Sequence, residues 1–152
     1  MGTYHASVDH ASRPQAGKKY FTLAEAHRAL ILVRRIVEDI QAVESQRRKL
    51  IDWAGGQLGQ KNGPVDDRAI ERRFDLLAAE MGRLIDELAE VGVELKDPAR
   101  GLVDFPAIFE GREILLCWHT NETSINHWHE LETGFAGRRP VAELSISPET
   151  VG

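Results

Sequence analysis

The sequence predicts an α+β protein, a long antiparallel two-helix hairpin with coiled-coil-like spacing followed by a small antiparallel β-meander. Apolar residues recur every three or four positions over 22–54 and 67–91, and from Gly92 the period falls to about two. Glycine, proline and capping residues stand where the pattern changes. These signals divide the chain into an N-terminal tail (1–18, expected to be disordered), a single α+β domain (19–140) and a C-terminal tail (141–152).

The first helix, 22–54, opens on Thr22-Leu23-Ala24-Glu25, a capping box in which hydroxyl and carboxylate satisfy free backbone donors. Its stripe runs through Leu23, Ala26, Leu30, Val33, Val37 and Ile40, with Ala29, Ile36, Val43 and Leu50 beside it, and Gly55-Gly56 is expected to stop it. The linker GGQLGQKNGPV is loop chemistry. The second helix, 67–91, takes Asp66 or Asp67 as cap, carries Ile70, Phe74, Leu77, Met81, Leu84, Leu88 and Val91, and ends at Gly92. A first helix about 48 Å long at roughly 1.5 Å per residue is best covered by an antiparallel partner. Glu44 and Arg47 fall on the seam, where the apolar stripe drifts toward Val43 and Leu50; the drift suggests a second hairpin, hence a homodimer.

The sheet is expected over 93–130, with strands at Val93 to Leu95, Leu102 to Phe105, Ile114 to His119 and Ile125 to Glu130. Asp97-Pro98-Ala99-Arg100-Gly101, Phe109-Glu110-Gly111 and Asn121-Glu122 supply the turns. Because the sheet leaves the end of helix two, it should lie near the start of helix one and bring Glu25 close.

Composition narrows the function classes. One cysteine cannot pair within the chain and suits a reducing cytoplasm. No apolar run reaches the roughly 20 residues of a membrane span, and the N-terminus lacks a signal peptide's apolar core. A net charge of −5 argues against nucleic acid as a partner, and Arg34-Arg35, Arg47-Arg48-Lys49 and Arg72-Arg73 alternate with Glu38, Asp39, Glu44 and Glu71 as on a solvated helix face.

Chemistry-bearing residues concentrate between Gly101 and Pro140. His127 and His129, two apart on a strand, share one face about 6.6 Å apart, a spacing that can chelate a divalent metal. The hairpin register decides their company. In the register we expect, Leu116 opposes His127, Ile114 opposes His129 and Trp118 faces Ile125. The alternative puts Cys117 opposite His127 and Leu115 opposite His129, gathering Cys117, His119, His127 and His129 as a zinc set; a one-residue shift exchanges the faces. Asp104, between Val103 and Phe105-Pro106, is a turn-bonding carboxylate, a ligand or a base. Arg138 and Arg139 follow Gly134-Phe135-Ala136-Gly137 and could meet an anion if that loop folds back beside helix one.

The phrases Tyr20-Phe21-Thr22-Leu23-Ala24-Glu25-Ala26, Gly92-Val93-Glu94-Leu95-Lys96-Asp97, Gly101-Leu102-Val103-Asp104-Phe105-Pro106, Leu116-Cys117-Trp118, Trp128-His129-Glu130 and Gly134-Phe135-Ala136-Gly137-Arg138 follow one another in order. This succession resembles the bacterial family called domain of unknown function 2203 over roughly residues 20–140. The resemblance implies a small bacterial protein of a family without an established activity. His119 and His127 depart from its pattern.

Two functions follow from the residues. The first is a non-enzymatic interaction module that dimerises through its hairpin. The alternative binds a divalent metal or an anionic ligand, with hydrolysis as its enzymatic form, between helix start and sheet; Glu25, Asp104 and Arg138 would hold the ligand, and His129 with Glu130 the metal.

Overall fold

A computed structural model describes residues 12–57 and 66–146. Two helices, α1 (Leu23–Gln57) and α2 (Asp67–Val91), precede a five-stranded antiparallel sheet: β1 (Glu94–Asp97), β2 (Leu102–Phe109), β3 (Arg112–Trp118), β4 (His127–Glu130) and β5 (Arg139–Pro140). The strands lie in chain order, so the sheet is a meander. Among the described residues no helix is long and apolar enough to cross a membrane.

Local chemistry sets most boundaries. The Thr22 hydroxyl accepts from Glu25 N, and Glu25 Oε1 accepts from Thr22 N, both at 3.1 Å. Asp66 caps α2 through Arg68 N, and Gly92 closes it in the left-handed region at φ 96°. Gly55 and Gly56 do not stop α1, which runs to Gln57. A glycine weakens a helix by about 1 kcal/mol but ends it only where a left-handed residue is needed. Here neither takes positive φ, and buried Ala54 anchors the turn they follow. Most of the expected interhelical loop, residues 58–65, lies outside the described residues.

The sheet's two faces differ in kind. Alternate residues Val103, Phe105, Ala107, Ile114, Leu116, Trp118 and Trp128 join one apolar core with Val33, Ile36, Val37 and Ile40 of α1 and Leu84 and Leu88 of α2. The opposite face carries Asp104, Glu113, Leu115, Cys117 and His129, buried outside that core. β2 runs through Pro106 because β1 pairs only with Leu102 to Asp104; beyond it, Phe21 N donates to Pro106 O at 2.7 Å. Glu110 and Gly111, at φ 52° and 75°, form the two-residue turn into β3.

The expected register between β3 and β4 is not adopted. Cys117 opposes His127 and Leu115 opposes His129, so Trp128 takes the core position opposite Leu116. The expected pairing would have put two imidazoles among Ile114 and Leu116 and left Trp128 outside. The β3–β4 connection spans 119–126, longer than assumed, and is fixed by its own bonds: Trp118 Nε1 to Glu122 O at 2.9 Å, and Ile125 N to His27 Nε2 at 3.1 Å. Ile125 therefore reaches the core from the connection, outside the strand ladder. Arg34, expected on a solvated face, packs over Trp118 at 5.0 Å and donates to the carbonyls of Glu122 and Thr123.

Candidate metal centre and its neighbours

On the face away from the helices, three strands contribute one polar group each. Asp104 of β2 stands directly opposite Cys117 of β3, and His129 of β4 opposes Leu115, one diagonal step away. His129 Nε2 lies 3.1 Å from both Asp104 carboxylate oxygens. Donor atoms of Asp104, Cys117 and His129 all fall within 4.8 Å of one another, and all three residues are buried. Asp104 and His129 also line a cavity of about 200 Å³ with Lys96, Leu131, Gly134 and Phe135.

Hydrogen bonding places one proton of this group. His129 Nδ1 lies 2.7 Å from the Glu130 carbonyl, which can only accept, so Nδ1 carries a proton. Burial by itself would lower the His129 pKa; the bonds to Asp104, Cys117 and the Glu130 carbonyl outweigh it and push the group up to about 10. The arrangement is not a nucleophile–base–acid relay. In such a relay the nucleophile and the orienting acid occupy different ring nitrogens, whereas here Asp104 takes Nε2 and the Glu130 carbonyl takes Nδ1.

The other residues expected at the site form separate groups. Glu130 takes a two-pronged bond from Arg112, at 3.1 Å to Nε and 2.6 Å to Nη2, opposite Ile114. Glu25 is committed to its capping box, and the Thr22 backbone N–H, then the Thr22 hydroxyl, holds its carboxyl below the usual range. Arg138, His119 and His127 meet at Glu122, a residue the sequence showed only as part of a turn. Arg138 donates to Glu122 Oε1 and to the Cys117 carbonyl, and His127 Nδ1 lies 3.1 Å from Glu122 Oε2. His119 Nδ1 accepts from Asn121 N, leaving Nε2 to face Glu122 at 3.3 Å. Burial, aided by Arg138 and Arg100, pushes His119 below the ordinary imidazole value against the pull of Glu122. The four-residue zinc set of the alternative register is thus divided, with Cys117 facing Asp104 and His129 while both other histidines face Glu122.

Another carboxylate was also missed. Glu113, 3% exposed, accepts from the Tyr20 hydroxyl at 2.6 Å and from Lys18 Nζ at 2.8 Å. It lies on the sheet face away from the apolar core, where Lys18 and Tyr20 of the N-terminal arm cover it.

No curated protein and no solved structure matches the chain. The model of the family described as "Uncharacterized conserved protein (DUF2203)" covers residues 19–141, from the residue before Tyr20 to the residue after β5, and the chain belongs to that family.

Proposed function

We propose that the protein binds one divalent metal ion through Asp104, Cys117 and His129, with zinc the ion best suited to a mixed oxygen, sulfur and nitrogen set. The observation that carries the reading is the convergence of three different donor types, from three strands, on one buried point. Tetrahedral bonds of about 2.0–2.3 Å separate ligand atoms by roughly 3.3–3.8 Å, so small side-chain shifts suffice. The Glu130 carbonyl on Nδ1 is the partner that usually fixes a metal-bound histidine, and it leaves Nε2 for the ion. Binding must displace the Nε2 proton and the thiol proton, which makes affinity rise with pH. Three protein donors leave a fourth coordination position for water or ligand. Equilibrium dialysis of untagged protein against zinc tests the reading: one zinc per chain, lost in Asp104→Asn and His129→Gln, is expected.

A second reading, dimerisation through the hairpin, draws support from the large apolar side chains exposed on the helices. Ile31, Leu32, Ile51 and Trp53 of α1 and Leu76 and Ile85 of α2 are all at least 40% exposed. A second copy is the partner this reading names.

A further inference from the structure

Phe135 lines the cavity that Asp104 and His129 share, and two guanidinium groups rest against its ring. Arg100 Cζ, from the β1–β2 turn, lies 4.2 Å from the ring centroid, and Arg138 Cζ, from the segment before β5, lies 4.7 Å from it. The two charges are therefore at most about 9 Å apart. Among the described residues, one of the two has a carboxylate partner. Glu122 pairs with Arg138, while Arg100 makes no ion pair with any described carboxylate. Arg138 Nε is buried without an acceptor. The turn that presents Arg100 is itself held: Asp97 Oδ1 accepts from Arg100 N, and the Thr120 hydroxyl donates to Arg100 O, both at 3.3 Å.

We propose that Arg100 and Arg138, set against Phe135, form a site for a phosphoryl group, either free phosphate or the terminal group of an ester. A pair of like charges held this close on a chain of net charge −5 is stabilised by an anion that both can share. A buried guanidinium N–H without an acceptor carries a desolvation penalty that such an anion would relieve. A phosphoryl group suits the pair better than a carboxylate does, because its three oxygens can meet two forks arriving from different elements, whereas a carboxylate's two oxygens match one. The site does not depend on the metal reading, since neither arginine belongs to the three donors.

The test uses chelator-treated, isotope-labelled full-length protein, titrated at constant ionic strength with inorganic phosphate, phenyl phosphate or succinate while Arg138 Nε–H and Phe135 ring resonances are followed. Saturable shifts with one phosphate or phenyl phosphate per chain are expected, with little response to succinate. Inorganic phosphate binding the tighter would assign free phosphate; phenyl phosphate binding the tighter would assign an ester. Arg100→Ala, at an exposed turn, should weaken binding roughly tenfold or more, and Arg100→Lys should recover only part of it. Absence of saturable shifts, an equal response to succinate, or unchanged affinity in Arg100→Ala would overturn the proposal. Because the protein is metal-free, that failure leaves the zinc reading untouched, and failure of zinc binding leaves this one untouched.

Discussion

His129 and Asp104, 25 residues apart, meet across the strand between them, with Nε2 3.1 Å from each carboxylate oxygen and both side chains almost wholly buried. Removing one partner of such a buried pair leaves the other unpaired and is costly, whereas well-packed apolar residues could replace both at little loss. The pair stands beside Cys117, outside the apolar core.

The pair makes stability depend on pH. The His129 pKa is raised from 6.5 to about 10 in the folded state, so its contribution is complete below about 6.5 and is lost as pH rises through about 10. Chemical denaturation of metal-free protein across that window should show falling stability, and His129→Gln should flatten the fall. Parallel profiles for the two proteins would show that His129 is not the group responsible.

Glu113 depends on the arm over it. Tyr20→Phe removes the 2.6 Å hydroxyl bond from a carboxylate that stays buried, and should destabilise the fold by about 1–3 kcal/mol. Urea unfolding measures this, and an unchanged midpoint would mean that Lys18 suffices.

Gly101 and Gly56 should respond oppositely to alanine. At Gly101, φ is +61° and a Cβ would come within 2.7 Å of Thr120 Cγ2 and 2.8 Å of Val37 Cγ1; we expect a loss of at least about 1–3 kcal/mol. Gly56 lies within α1 with nothing near a Cβ, so alanine there should add about 0.4–1 kcal/mol. Thermal melts of the two variants compare them directly.

Light scattering tests the dimer. The exposed apolar residues of α1 and α2 predict a mass twice 17.0 kDa at micromolar concentration, and 17.0 kDa itself would sink the second reading.

Where local chemistry decides a boundary, the sequence was enough. The capping box at Thr22 and Glu25, Asp66 before α2 and the left-handed Gly92 were all legible, and so was the change of period that separates hairpin from meander. Where a distant contact decides, it was not. The β3–β4 register follows from bonds of Trp118 and Ile125 to groups outside the hairpin ladder, and β2 continues through Pro106 because Phe21 meets its carbonyl. Asp104 and His129 stood out singly as polar residues among apolar strands. Their union with Cys117 depended on that register, and Arg100 entered only through a ring from a later segment.

The proposed metal centre is tested most directly by cobalt(II) substitution, because a sulfur-to-cobalt charge-transfer band in the near ultraviolet would report Cys117 as a ligand. The account predicts the band at one cobalt per chain, its disappearance in Cys117→Ser and its displacement by zinc. No band at saturating cobalt, or an unchanged band in Cys117→Ser, would contradict it.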